Sequence, residues 1–285
     1  MTQSHLQQTP LRESRLTVAD GIAELSHQRH AVRNALSMAM IEDYNDVLDR
    51  VEGDRAIRVL ILTGSGGSFC AGGDIKSMRD RLSSADPELN SPDYMRRRLD
   101  FSQRMLMRLR ELDVPVIAAV DGAAYGAGFG LALQSDFLLA SARAAFCMSF
   151  ARIGAVPDYG VFHTLPRIVG MARAKEMTMT ARRVPAEEGL ALGFVHAVYA
   201  ADDLLPQAHA FARRLKEGPR EALGLTKRLL NRSYETDYAT LATLEACAQA
   251  VCLNTPYHAQ AAARFVSGEP ALYDWDRGTG TPGSK

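Results

Sequence analysis

The sequence predicts an α/β fold, on three observations. Short apolar, β-branched runs such as Ile57 to Thr63 and Val114 to Val120 alternate with stretches of helical periodicity. A glycine-rich loop follows each of those two runs, first Gly64-Ser65-Gly66-Gly67 running into Phe69-Cys70-Ala71-Gly72-Gly73-Asp74, then Gly126, Gly128 and Gly130. After Asp202 the pattern changes to amphipathic helices alone.

Residues 1 to about 10 are polar and read as loose. Arg15 to Ser26 reads as a hairpin turning at Asp20-Gly21. Ser37 is a candidate N-cap for a helix over Met38 to Val51, where Met38, Ile41, Tyr44, Leu48 and Val51 recur at helical spacing. Ser83 to Pro92 is polar, holds two prolines and reads as a mobile surface loop. A helix from Tyr94 to Leu112 is expected to turn Leu99, Met105, Leu106 and Leu109 inward. The run Val114 to Val120 then gives a strand, Gly126 to Gly130 a tight turn, Leu131 to Leu133 a buried helix and Phe137 to Ala140 another strand. A strand near Ala145 to Ser149 precedes the loop Ile153 to Asp158, with Asp158 placed to cap a helix through Leu165. Short helices at Ala172–Thr180 and Pro185–Leu192 and a strand at Phe194–Tyr199 close the βα part. Leu204, Leu205, Ala208, Phe211, Ala212 and Leu215 form an apolar stripe, Gly218-Pro219 breaks the chain, and helices follow near Glu221–Asn231, Tyr238–Leu253 and Pro256–Ser267. The expected organisation is a flexible stretch at 1–13, a core at 14–201, a helical region at 202–268 and a tail at 269–285. The helical region must pack on its own core or on a neighbouring subunit.

With 285 residues and 47% hydrophobic residues, the chain has enough apolar mass for a full core. Its 33 Lys and Arg balance 33 Asp and Glu, which gives no prior for a nucleic-acid or anionic-membrane surface. The run Arg96-Arg97-Arg98 reads as a solvated helix face. Cys70, Cys147, Cys247 and Cys252 form neither a C-x-x-C pair nor a metal-type cluster, so a reduced, cytoplasmic protein without a metal is expected. The first fifteen residues lack the apolar stretch of a signal peptide, and no apolar run is long enough to span a bilayer.

The two glycine loops carry the chemistry. The first either presents the Gly73 N–H or is only a strand-to-helix turn capped by Asp74. No Gly-Lys-Ser/Thr follows, so it is not a phosphate-binding P-loop. In the second, Leu131 stands where a dinucleotide fingerprint needs its last glycine. What remains is close helix–sheet packing or an oxyanion site at the helix start. No G-x-S-x-G is present, which leaves a serine-hydrolase reading unsupported.

Together these segments resemble the crotonase (enoyl-CoA hydratase/isomerase) superfamily. The resemblance runs from about residue 14 to 268 through Asn34-Ala35-Leu36, Val59 to Gly64, Phe69 to Asp74 and Pro115 to Gly130. It continues through Ile153 to Asp158, Leu165-Pro166-Arg167-Ile168-Val169-Gly170 and Ala186 to Val195. It implies a fold of repeated ββα units with a C-terminal helical region, a homotrimer or dimer of trimers, and an acyl-CoA thioester substrate whose enolate is stabilised. Coenzyme A then enters as part of the substrate, and no separate cofactor is implied. The resemblance assigns the oxyanion donors to the Gly73 and Ala127 N–H groups. It assigns coenzyme A contacts to Arg29, Ala31 and Val32 and to Ala71, Asp74 and Ile75, with Lys76 a candidate phosphate partner.

Hydratases of the family use two glutamates, at positions held here by Gly130 and Phe150, which cannot move a proton. Asp158 lies where isomerases of the family carry an acidic proton shuttle. Burial beside Phe150, Val156 and Tyr159 is expected to make it a better base. The resemblance therefore points to an isomerase acting through Asp158. Hydration or another lyase reaction with a relocated acid is the first alternative, and a non-catalytic coenzyme A-binding or scaffold protein is the second.

Overall fold

The computed structural model of the chain describes residues 6–276. In chain order the elements are β1 (Gln7–Pro10), β2 (Ser14–Ala19), β3 (Ile22–His27), α1 (Met38–Gly53), β4 (Val59–Gly64), α2 (Ile75–Leu82), α3 (Pro92–Glu111), β5 (Val116–Val120), β6 (Ala123–Tyr125), α4 (Ala127–Ala132), β7 (Phe137–Ser141) and β8 (Ala145–Cys147). They continue with α5 (Val161–Val169), α6 (Met171–Thr180), β9 (Arg183–Pro185), α7 (Ala186–Ala191), β10 (Ala197–Tyr199), α8 (Leu204–Lys216), α9 (Arg220–Arg232), α10 (Tyr238–Leu253) and α11 (Pro256–Val266). A seven-stranded sheet runs β1-β2-β3-β4-β5-β7-β10, and a three-stranded sheet runs β6-β8-β9.

The β-branched runs are continuous because the large sheet is buried on both faces. Leu60 and Leu62 of β4 and Val116, Ala118 and Val120 of β5 point into the main core with α1 and α3. Their neighbours Val59, Ile61, Ile117 and Ala119 point the other way, onto Leu204, Ala208, Ala212 and Leu215 of α8. Helix α8 therefore packs on the chain's own sheet. Helix α9 is tied to it as well, since Arg220 donates to the Ile57 carbonyl at 2.6 Å and Lys227 pairs with Asp136 at 2.8 Å. By contrast α10 and α11 have no buried residue, and Tyr238, Phe265 and Val266 are more than 80% exposed.

Several expectations hold in detail. The hairpin turns through Asp20 (φ 50°) and Gly21 (φ 74°), and the Ser37 hydroxyl accepts from the Met40 N–H at 3.1 Å to cap α1. Others need correction. Residues 7–10, expected to be loose, form an edge strand paired antiparallel with β2, because backbone pairing needs no apolar pattern. Leu99 is 37% exposed and faces a cavity rather than the core. The strands β6 and β9, three residues each, were too short to show periodicity. Part of the stretch read as a tail is packed, for the Trp275 ring stacks edge-on to Phe211 and lies 3.7 Å from the Arg214 guanidinium. The terminal GTGTPGSK lies outside the described residues.

Candidate active site

The first glycine loop is held from below by buried polar groups. His27 at the end of β3 is fully buried, with Nδ1 2.9 Å from the Phe69 carbonyl and Nε2 2.7 Å from the Tyr44 hydroxyl. Burial pulls its pKa down to about 4, so the imidazole is neutral, donating through Nδ1 and accepting through Nε2. Asn34, in the left-handed region at φ 56°, donates from Nδ2 to the carbonyls of Ser65 (2.9 Å) and Ser68 (2.6 Å). That explains the Asn34-Ala35-Leu36 segment, because it laces to the loop. The Leu36 N–H donates to Gly72 O at 2.8 Å, and the Asp74 N–H donates to Leu36 O at 3.1 Å. This pairing passes over Gly73, whose N–H is left without an acceptor among the described residues.

The second loop is brought against the first by the Cys70–Ala124 bridge. The Cys70 N–H donates to Ala123 O and the Tyr125 N–H to Cys70 O, each at 2.9 Å. Gly128 permits the approach, since a Cβ there would lie 2.7 Å from both Cβ and Sγ of Cys70. Ala127 is the first residue of α4, so its N–H has no acceptor inside the helix. Gly73 and Ala127 both line one cavity, of ≈ 660 Å³.

Asp158 lines the same cavity, with Phe150 and Tyr159. It does not cap α5. The N-cap is Gly160, at φ 74°, and only the Asp158 main-chain carbonyl meets the helix, accepting from the Val161 N–H at 3.1 Å. Its Oδ1 is buried with no partner among the described residues, and burial raises the carboxyl pKa to about 6. Val156, expected to help bury it, is 75% exposed, so Phe150 and Tyr159 do that work. Tyr159 is itself in the left-handed region at φ 53°, an uncommon conformation for an aromatic residue. Its carbonyl accepts from Gln134 Nε2 at 2.9 Å. Burial raises the Tyr159 pKa, so the phenol stays neutral.

The same tyrosine explains the glycine at 130. A Cβ on Gly130 would sit 2.7 Å from Tyr159 Cβ and 3.2 Å from its carbonyl oxygen. No side chain fits there while Tyr159 keeps its place. Phe150, at the other position where an acid was sought, is buried and apolar.

Of the residues singled out in the sequence, Gly73, Ala127, Asp158, Ala71, Asp74 and Ile75 come together around this cavity. Asp74 is committed elsewhere: it caps α2, accepting from the Ser77 N–H at 3.1 Å, and pairs with Arg29 at 2.9 Å. Arg29 also pairs with Glu13 at 3.0 Å, and Arg29, Ala31, Val32 and Lys76 do not line the cavity. His163 lies 3.5 Å from Glu235, away from the cavity. Cys70 is buried and burial pushes its thiol up to about 12, consistent with a packing role. Sequence reasoning missed Met78, Met95, Arg98 and Ser102. They lie on α2 and α3, where helical spacing does not tell a cavity-facing side chain from a core one.

The sequence model of the enoyl-CoA hydratase/isomerase family matches residues 17–267. The chain belongs to the enoyl-CoA hydratase/isomerase family. A crystal structure titled enoyl-CoA hydratase/isomerase from Cupriavidus metallidurans CH34 has the same crotonase-type fold, with a TM-score of 0.87 and 36% identity over 97% of this chain and 100% of that one. The 1,2-epoxyphenylacetyl-CoA isomerase of Escherichia coli (strain K12) is 36% identical over 220 residues, 77% of this chain and 82% of that one. A probable enoyl-CoA hydratase of Rhodobacter capsulatus is 34% identical over 232 residues, 81% of this chain and 86% of that one. Family relatives thus carry both hydratase and isomerase names. Among the described residues no helix is long and apolar enough to cross a membrane, and no group of three or more His, Cys, Asp or Glu is arranged to hold a metal ion.

Proposed function

We propose that the protein is an enoyl-CoA isomerase, moving a double bond by proton transfer through Asp158. The observation that carries this is the half-buried carboxyl of Asp158, whose buried Oδ1 has no partner among the described residues, in the cavity that Gly73 and Ala127 also line. In the proposed reaction Asp158 takes a proton from C2 of a 3-enoyl thioester. The electron pair moves onto the thioester oxygen, where the Gly73 and Ala127 N–H groups stabilise the charge. The protonated Asp158 then delivers the proton to C4, and the double bond lies between C2 and C3. One base suffices, which fits a cavity where, among the described residues, the only other lining carboxylate, Asp74, is paired with Arg29. The isomerase name of the Escherichia coli relative supports this reading, and ring-expanding isomerisation of an acyl-CoA would use the same parts.

Coenzyme A is proposed to belong to the substrate, with its contacts on Ala71, Asp74 and Ile75 and on the neighbouring surface of Arg29, Ala31, Val32 and Lys76. A homotrimer or dimer of trimers is part of the proposal, supported by the apolar side chains that α10 and α11 leave exposed. So is a cytoplasmic location, which accords with four unpaired cysteines.

Hydration is the second reading, favoured by the hydratase names among relatives. Nuclear magnetic resonance of the products separates the two. The purified protein is expected to convert trans-3-hexenoyl-CoA to trans-2-hexenoyl-CoA. With crotonyl-CoA it is expected to form no 3-hydroxyacyl-CoA on the same timescale. Rapid hydration of crotonyl-CoA would replace the isomerase reading with the second one.

A further inference from the structure

Three consecutive arginines on α3 do three different things. Arg96 is exposed and pairs with Asp93 at 2.9 Å and Asp100 at 2.7 Å. Arg97 is exposed and pairs with Glu88 and, at 3.2 Å, with Asp93. Arg98 is half-buried, lines the cavity of Asp158, and has no ion pair or side-chain hydrogen bond among the described residues. The sequence pattern showed a solvated basic face, and the third member of it is not one.

Apart from Asp158, to which the proton transfer is assigned, the other charged groups of the lining are occupied. Arg152 donates to the Ala181 carbonyl at 2.6 Å, and Arg81 Nη1 donates to the Leu89 carbonyl at 3.2 Å, although Arg81 Nε is buried and unpartnered. Asp74 is taken up by Arg29. The lining that Arg98 shares also carries the apolar side chains of Met78, Leu82, Met95 and Leu99. Its own carbonyl accepts from the Ser102 hydroxyl at 3.4 Å, and Ser102 and Tyr159 line the same cavity. A guanidinium partly withdrawn from water loses hydration, and no carboxylate of the described residues lies within ion-pair distance of Arg98 to restore it. A bound carboxylate would restore it, through the paired donors that guanidinium presents.

We infer that Arg98 recognises a free carboxylate at the far end of the acyl chain, so that the site takes thioesters formed from one end of a dicarboxylic acid. The inference rests on the acyl-CoA reading above but not on the type of reaction, and its test is a binding measurement for that reason.

Calorimetry would compare hexanoyl-CoA with the mono-CoA thioester of adipic acid, and octanoyl-CoA with that of suberic acid, with free coenzyme A as the control. The wild-type protein is expected to bind the carboxylate-ended member of at least one pair about tenfold to a hundredfold more tightly, the range of a charge-assisted hydrogen bond. In Arg98→Met the ratio should fall to about one, and in Arg98→Lys part of it should return. Equal affinities within both pairs for the wild-type protein would overturn the inference without any variant. So would a ratio that survives in Arg98→Met, or a loss in that variant shared equally by free coenzyme A, which would place Arg98 on a phosphate. Failure of all the thioesters to bind would instead reject the acyl-CoA reading itself.

Discussion

Asp158→Asn is expected to lower kcat for isomerisation of trans-3-hexenoyl-CoA by about 10²–10⁴-fold, the usual worth of a positioned general base. Asparagine has nearly the same shape and cannot accept the proton from C2. Steady-state kinetics on a variant with an unchanged circular dichroism spectrum would check this, and full activity would remove Asp158 from the mechanism. The variant should not be less stable. The folded pKa of Asp158, about 6, lies above the ordinary value of 3.8. The part of its burial cost that comes from ionisation is therefore absent at low pH, when the group is neutral in both folded and unfolded chains. The cost grows as pH rises from the ordinary value through the folded one. Asparagine does not carry it, so at pH 8 the variant should unfold at a temperature equal to or above that of the wild type.

Ala127→Pro should cost about 10²–10³-fold in kcat, the price of one preorganised oxyanion donor. Ala127 occupies the first position of α4, where proline is best tolerated because that N–H is unpaired within the helix. The residue before it is Gly126, which eases the restriction proline places on its neighbour. The change removes the proposed donor and leaves Asp158 chemically intact. A kcat within a few-fold of wild type, in a folded protein, would mean that the Ala127 N–H does not meet the thioester oxygen.

The parts of this site that were legible in the sequence are those the backbone makes. The glycine loops could be read because close approach leaves a residue type behind, as at Gly128 beside Cys70. The buried strands could be read because both faces of the sheet are covered, which makes every residue of β4 and β5 apolar or small up to their ends. What was hidden depends on side chains from different elements meeting. Helical spacing put Leu99 inward, and the structure turns it toward a cavity. Arg98 looked like its two neighbours until its lack of a partner could be seen. The capping role open to Asp158 was equally good as a pattern, and Gly160, two residues later, holds the N-cap position. Gly130 read as a missing acid, and the structure adds the reason, which is that Tyr159 fills the space.

The claim that Asp158 is the proton carrier is tested most directly by the pH dependence of kcat/KM for 3-enoyl-CoA isomerisation. That quantity reports the free enzyme, and the base must be ionised to act. The rate should therefore climb tenfold per pH unit at low pH, bend near pH 6 and stay level above it, as the raised carboxyl pKa requires. The residual activity of Asp158→Asn should lack that bend. A wild-type profile that is flat between pH 5 and 8, or a bend near 6 that persists in the asparagine variant, would contradict the account.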